Sequence, residues 1–448
     1  MPRTGGFRCR GARSKGTSFQ MDSIRIVGGH ELNGTIPISG AKNAALPLMI
    51  ASLLTDDTLT LENVPHLADV EQLIRILSNH GVDYAVKGRR RAEGQGYART
   101  VDFTARDIVD ITAPYELVSK MRASFWVIGP LLARMGEARV SLPGGCAIGT
   151  RPVDLHLGAL EALGARIDFG GGIYDVQAPE GLRGARIALP MASVGATHTA
   201  LMAAAGARGE TEIVNAAREP EIVDLAAFLN GLGARVEGAG TYKITVQGTD
   251  SWSDVSHAIV PDRIEAASYL IAAAMTGGEL EIIGARLEHL GAACQILEQA
   301  GIVIYPSDRG LIARRGGALT SVDVATEPFP GFPTDLQAQF MALMCLADGV
   351  SVIRERVFES RFMHVPELQR MGADIRHDGS TAIVTGVGEL HGAQVMATDL
   401  RASMSLVLAG LVAKGETIVH RVYHLDRGFE DIEGKLRRCG AAIERVAE

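Results

Sequence analysis

LGARI at residues 163–167 and LGARV at residues 232–236 are two copies of one signal. A glycine just past a helix supplies a left-handed cap, and the β-branched residue three positions later enters a strand. The signal recurs six times, at Gly81, Gly164, Gly233, Gly301, Gly372 and Gly440, with spacings of 83, 69, 68, 71 and 68 residues. The preceding residue is His80, Leu163, Leu232, Ala300, Met371 or Cys439, and the third following residue is Tyr84, Ile167, Val236, Ile304, Ile375 or Ile443. Repetition at a fixed period decides the architecture: one unit of about 70 residues, used six times.

Each unit also carries a strongly apolar helix, a turn and a strand. The helices are expected near 44–54, 125–134, 197–207, 266–275, 338–347 and 403–413. Strands such as TLTLENV, TEIVNAA and VSVIRERV follow them. A helix apolar on every face is a buried helix. Amphipathic helices and sheets are therefore expected to cover the six. A solenoid is the rival arrangement, but its repeats are usually shorter and leave a regular exposed face.

Unusual residues stand at the starts of these helices. They are Lys42 and Asn43, then Arg122, then Ser193, Val194 and Gly195. Asp262, Arg263 and Glu265 follow, then Thr334 and Asp335, then Asp399, Arg401 and Ser403. Helix N-termini attract anions, so an acid there can be a simple cap. Cap and functional readings stay open for Asp335 and Asp399. A cation there opposes the helix dipole and needs another reason to be present. If the six ends converge, Lys42, Arg122 and Arg401 form a basic pocket for an anionic substrate.

The segment LPGGCAIGTRPVDL, residues 142–155, places Cys146 among glycines with Arg139 and Arg151 nearby and no acid from 138 to 153. Glycines weaken helix and strand alike, so a loop is expected, where a cysteine is often chemical. Nearby cations lower a thiol pKa. The alternative is a small buried hydrophobe. Cys294, Cys345 and Cys439 read as helix or core residues, and the odd, sparse set of five fits a reducing cytoplasm rather than a disulfide framework.

The chain of 448 residues is 47% hydrophobic and 21% charged, enough for two or three domains with a sizeable core. A net charge of −8 gives no sign of nucleic-acid binding. No apolar stretch reaches the roughly 18 residues that a membrane span needs. Residues 1–20 hold five basic residues, no acid and no apolar signal core, and are expected to be a disordered tail or an upstream start ahead of Met21.

Eight ordered stretches carry a family resemblance: SGAKNAALP (39–47), TAPYELVSKMRASFWVIGPLLAR (112–134), LPGGCAIGTRPVDLH (142–156), NAAREPEIVD (215–224), FPTDLQAQF (332–340), FESRFMHVPELQRMGA (358–373), ATDLRASMSLVLAG (397–410) and YHLDRGFEDIEGKL (423–436). From about Met21 to the C-terminus the chain resembles the UDP-N-acetylglucosamine 1-carboxyvinyltransferases, the enolpyruvyl transferases of peptidoglycan synthesis. The resemblance implies an α/β fold, a two-domain inside-out barrel of six βαβαββ-type units with helices inside and sheets outside. It implies one domain of residues 21–41 plus 261–448 and a second of 42–260. The activity implied is transfer of the enolpyruvyl group of phosphoenolpyruvate to the 3′-hydroxyl of UDP-N-acetylglucosamine, with release of phosphate and no metal or organic cofactor. A cytoplasmic monomer without nucleic-acid or membrane partners is expected.

The resemblance also assigns roles. Lys42, Arg122, Arg151 and Arg427 would surround the phosphate and carboxylate of phosphoenolpyruvate, and Asn43 would touch the sugar and the tetrahedral intermediate. Arg151, Pro152, Val153, Asp154 and Leu155, with Ser193, Val194 and Gly195, would hold the uridine diphosphate. Asp335 would accept the hydroxyl proton and Val357 would line the sugar site. Arg361 and Arg401 would join the anion network, with Asp399 supporting it. Cys146 would protonate the methylene carbon, on a loop that acts as a lid.

Two departures stand out. Met191 occupies a position where the family often has a lysine near the diphosphate. Residues 88–100, GRRRAEGQGYART, read as an insertion in a surface hairpin with four solvated arginines. The enzymatic rival, the shikimate 3-phosphate type of enolpyruvyl transferase, lacks the cysteine loop. A non-catalytic sugar-nucleotide sensor would be expected to lose Cys146 or Asp335, and both are present.

Overall fold

The computed structural model of the protein describes residues 22–90, 98–144 and 153–447. The expected tail, the hairpin tip 91–97 and the loop 145–152 with Cys146, Arg151 and Pro152 lie outside the described residues. All six signal glycines have φ between 95° and 115°, the left-handed region a side chain disfavours. Each ends a helix and leads into a strand, as at Pro220–Leu232, Gly233 and the strand Arg235–Glu237.

The six apolar helices are Lys42–Ile50 with its extension Ala51–Leu54, Arg122–Val127 running into Ile128–Met135, Val194–Ala205, Arg263–Thr276, Thr334–Leu336 running into Gln337–Met344, and Ala402–Val412. They are called the first to sixth buried helices below. Their sequences offer no polar face to water, so each is enclosed. Every residue from Ala196 to Ala205 is buried, and likewise every residue from Ala402 to Leu411. A fully buried leucine such as Leu406 contributes about 1.5–3 kcal/mol relative to an exposed one.

Six four-stranded sheets cover these helices among the described residues. In each, an edge strand runs parallel to the strand leaving a buried helix, and two antiparallel strands complete the sheet. The sixth sheet borrows its third strand. Asp22–Val27, from the other end of the chain, lies between Glu416–His420 and Ala442–Ala447. The sixth unit has only one strand after Gly440, and the N-terminal strand fills the gap.

Two separate hydrophobic cores result, one from residues 41–259 and one from residues 24–38 plus 264–443. Helices one to three pack together in the first, and helices four to six in the second. The division excludes a one-dimensional stack. The chain crosses between the cores twice, and the crossings lie side by side. Gly40 bridges Pro261, the Ala41 N–H donates to the Val260 carbonyl at 2.7 Å, and the Asp262 N–H donates to the Ser39 carbonyl at 2.9 Å. Gly40 is required there, because a Cβ would lie 2.0 Å from the Asn63 carbonyl oxygen. Before crossing, each strand joins a sheet of the core it leaves. Gly34–Pro37 pairs with Glu279–Ile283, and Val255–Ala258 pairs with Thr58–Val64.

One expectation is corrected. The strands Asp83–Arg90 and Ala98–Thr104 do form the expected hairpin, but Arg99 is buried rather than solvated. It donates to Glu71 at 2.8 Å and to the Pro65 carbonyl at 2.9 Å, tying the hairpin to the helix Ala68–Asn79.

Candidate active site

The starts of the first, fourth, fifth and sixth buried helices meet in the cleft between the cores. Lys42 and Arg427 share Asp69, with Lys42 Nζ 3.2 Å from Oδ2 and Arg427 Nε 2.8 Å from Oδ1. Arg401 spans Asp262 at 3.2 Å and Asp335 at 3.6 Å, and Arg361 holds the other oxygen of Asp335 at 2.8 Å. Asp262 Oδ1 caps its own helix by accepting from Ile264 and Glu265, while Oδ2 accepts from the Lys42 backbone N–H at 3.4 Å. Asp69 and Lys42 belong to one core; Arg427, Arg401, Arg361, Asp262 and Asp335 belong to the other.

This explains cations where the helix dipole would repel them. Lys42 stands at a helix start because Asp69 receives it, and Arg401 because its guanidinium bridges two carboxylates over the Phe429 ring, 5.3 Å away. The pocket is therefore an alternating network rather than a bare basic surface. Among the described residues, these ion pairs join four cations to three carboxylates.

The titration shifts follow. Burial alone would raise the Asp335 carboxyl, but Arg361 and then Arg401 more than offset it and hold it well below the usual carboxylate range. Asp69 and Asp262 behave likewise: burial opposes ionisation, and Lys42 with Arg427, or Arg401, outweighs it. Burial pushes the Lys42 ammonium down, Asp69 partly restores it, and Arg401 and Arg427 push it down again.

The two acids left open above separate here. Asp399 is a cap: Oδ1 accepts from the Arg401 and Ala402 backbone N–H groups at 2.8 and 2.9 Å. Asp335 caps nothing, and its carboxylate faces guanidinium groups. Ser193 also caps its helix, accepting from the Ala196 N–H at 3.3 Å.

The second and third buried helices pack directly together, and His156, on the helix Asp154–Ala162, touches both. Its Nδ1 lies 2.8 Å from Thr199 Oγ1, and its pKa is pushed down to about 3 by burial and then by Arg122. A Cβ at Gly195 would come within 3.0 Å of His156 Cε1 and of Trp126 Nε1, so Gly195 lets the helix start close on these rings. Asn43 and Arg122 are part-exposed at their helix starts, and Val153, Asp154 and Leu155 open the helix after the Cys146 loop. Val194 is half-buried beside Gly195, and Met191 lines an inter-core cavity of about 660 Å³ with Arg218, Tyr242, Phe329 and Arg356. Cys294 and Cys345 are core thiols pushed up to about 12, in both cases mainly by burial.

Sequence reasoning missed two acids. Asp69 lies in phase with buried Leu73 and Ile76 on an amphipathic helix, an acid on the apolar face. Glu355 follows inward-facing Ser351 and Ile353 at strand spacing. Its carboxylate accepts from Thr326 at 2.6 Å, Thr334 at 2.9 Å and the N–H groups of Val357 and Phe358 at 2.9 and 3.0 Å. It thus fixes both the turn bearing Asp335 and the segment bearing Val357. Thr334 in turn accepts from Arg361 at 2.9 Å. An acid at an inward position is the readable signal in each case.

Comparison with known proteins agrees in sequence and in fold. Residues 26–436 match the family described as EPSP synthase (3-phosphoshikimate 1-carboxyvinyltransferase). Proteins named UDP-N-acetylglucosamine 1-carboxyvinyltransferase from a Chelativorans species and from Brucella ovis are each 65% identical over 428 residues, covering 95% of this chain and 100% of theirs. Among solved structures, the enolpyruvyl transferase NikO from Streptomyces tendae superposes with a TM-score of 0.85 at 24% identity, covering 96% of this chain and 100% of its own. EPSP synthase from Acinetobacter baumannii superposes at 0.72 with 19% identity, covering 95% and 100%. At those identities the likeness is one of fold.

Proposed function

The chain belongs to the enolpyruvyl transferase family, and from that premise we propose how its residues act in the reaction. The protein is a UDP-N-acetylglucosamine 1-carboxyvinyltransferase: it moves the enolpyruvyl group of phosphoenolpyruvate to the 3′-hydroxyl of UDP-N-acetylglucosamine and releases phosphate, a step of peptidoglycan synthesis. Supporting the reading of the site is one observation above the rest: in the cleft between two cores, Arg361 and Arg401 hold Asp335 while Lys42 and Arg427 share Asp69.

Phosphoenolpyruvate carries a phosphate and a carboxylate, and guanidinium groups bind both through forked, charge-assisted hydrogen bonds. Lys42, Arg122, Arg151 and Arg427 take these anions. The thiol of Cys146 gives a proton to the methylene carbon, and the central carbon becomes electrophilic. The sugar hydroxyl attacks that carbon and passes its proton to Asp335. The thiolate left on Cys146 then takes back a proton from the methyl group as the bond from carbon to phosphate oxygen breaks, which leaves the enol ether, and the proton on Asp335 leaves with the phosphate.

Asp335 is a weak base while Arg361 and Arg401 hold it. Arrival of the substrate anions gives those guanidinium groups competing partners, and the carboxylate gains basicity as its pKa rises. Asp399 holds the helix start that carries Arg401. Ser193, Val194 and Gly195, with Arg151 to Leu155, hold the nucleotide, Asn43 the sugar, and Val357 the sugar-site wall. The sugar nucleotide binds first and the Cys146 loop closes over it, which keeps water from the reactive enol. Residues 21–41 plus 261–448 and residues 42–260 act as the two closing domains, a division that the separate cores support. The enzyme works as a cytoplasmic monomer without a metal.

Phosphate release from phosphoenolpyruvate tests the assignment, with UDP-N-acetylglucosamine and with shikimate 3-phosphate as alternative acceptors. Release is expected only with the sugar nucleotide and is lost in Cys146→Ala. Release with shikimate 3-phosphate instead would move the chain to the other branch of the family. Nucleotide binding without release would make it a sensor.

A further inference from the structure

Beside the double crossing lies a contact that the site described above does not use. Glu219 and Glu221 open the amphipathic helix Pro220–Leu232 on the 41–259 core. Both are buried. Glu221 accepts from Arg263 Nε through both oxygens, at 3.0 and 3.3 Å, and Arg263 belongs to the fourth buried helix on the other core. Glu219 Oε1 accepts from the backbone N–H of Phe329 at 3.4 Å, also on the other core. The Arg263 guanidinium lies over the Phe329 ring, 5.6 Å from its centre. The two acids thus hold a cation and a loop that touch each other.

Both held elements lead to Asp335. Arg263 follows Asp262, which holds Arg401, which holds Asp335. The Phe329 loop runs through buried Phe332 and half-buried Pro333 into the Thr334–Leu336 turn. On its own core that loop has a fixed seat: Ala292 N–H donates to the Pro330 carbonyl at 2.8 Å, and a Cβ at Gly291 would lie 2.6 Å from the same oxygen. The loop is therefore gripped from both cores at once. Glu219 Oε2 is buried with no hydrogen-bond partner among the described residues, an arrangement that is costly unless the position is imposed.

We propose that Glu219 and Glu221 are positioning residues for the transfer: from one core they hold Arg263 and the Phe329 loop of the other, and so set the aim of Asp335 when the cores are together. The inference rests on the proposed role of Asp335. Misplacing a reacting group by about 1 Å can cost on the order of a hundredfold in rate. Glu221→Gln should lower kcat by about tenfold to a hundredfold. The KM for UDP-N-acetylglucosamine should stay within about threefold, because the acids do not touch the nucleotide in this reading. Glu221→Asp, which keeps the charge, should recover part of kcat. If Glu221→Gln fails to fold, Glu219→Gln gives the same reading through the Phe329 N–H, with a smaller fall in kcat.

Wild-type kcat in the glutamine variants would overturn the proposal. So would a fall in kcat matched by an equal rise in KM and a lowered melting temperature, which marks a merely structural contact. Asp335→Asn run in parallel separates the two readings. If Asp335→Asn retains turnover, the role of Asp335 fails; if it is inactive while Glu221→Gln and Glu219→Gln turn over normally, the positioning proposal alone fails.

Discussion

At the start of the sixth buried helix, Asp399 turns its carboxylate back onto the chain and accepts from the N–H groups of Arg401 and Ala402. At the corresponding start of the fifth, Asp335 leaves the backbone alone and lies between Arg361 and Arg401. The two acids occupy sister positions in a repeated scaffold, and both were ambiguous as sequence. What separates them is the local chain. The fifth helix begins with the short turn Thr334–Leu336, which takes no side-chain cap, and Glu355 holds that turn through Thr334. With the turn secured from behind, the Asp335 carboxylate is free to face the cleft. A repeat supplies positions, and neighbours decide whether a residue there stabilises the fold or serves the reaction.

The comparison can be pressed hardest at Arg401, which both acids serve in different ways. It is almost completely buried between Asp262 and Asp335. Arg401→Met should cost about 3–5 kcal/mol in urea unfolding, because the acids lose their buried partner. A loss below about 1 kcal/mol would mean the network is not a structural unit. Gly40→Ala is expected to cost about 1–3 kcal/mol, since the added methyl meets the Asn63 carbonyl where the chain crosses. Wild-type stability there would show that the crossing can give way.

Asp399→Ala should cost about 1 kcal/mol, the usual value of a lost cap, and Asp399→Asn should restore most of it. Equal losses in both variants would point to the charge rather than the cap. The pH dependence gives a smaller, directional contrast. The Asp335 carboxyl lies below its ordinary value in the folded protein, so its contribution to stability is present above the unfolded value of about 4 and is lost as pH falls further. The difference in unfolding free energy between wild type and Asp335→Asn should therefore shrink on acidification below about pH 4. A difference that grows on acidification would reverse the sign of the Asp335 interaction.

Much of this molecule is written in its sequence. Six glycines with left-handed φ fell where a helix-end signal preceded a strand, and six apolar helices lie within a few residues of their expected places. Lys42, Asp335 and Arg401 stand out because each sits at the start of a helix whose own body carries no other charge. Less legible was whatever depends on distant chain segments meeting. The strand Asp22–Val27 completes the sixth sheet with partners about 390 residues or more away in the chain, a pairing that local patterns do not show. Asp69 and Glu355 escaped notice because an acid within an amphipathic element looks like surface until its neighbours are seen to be buried. Arg99, one of four arginines in a polar stretch, was misread for the opposite reason: its partners Glu71 and Pro65 approach from another element.

The most direct measurement places the two sister acids side by side: phosphate release from phosphoenolpyruvate at saturating UDP-N-acetylglucosamine, for Asp335→Asn and Asp399→Asn. Asparagine keeps a cap but not a base. Asp335→Asn should lose about 10²–10⁴-fold in turnover, the usual contribution of a positioned base, while Asp399→Asn stays within about tenfold of wild type. Equal losses, or the larger loss at Asp399, would contradict the division of labour drawn between these two helix starts.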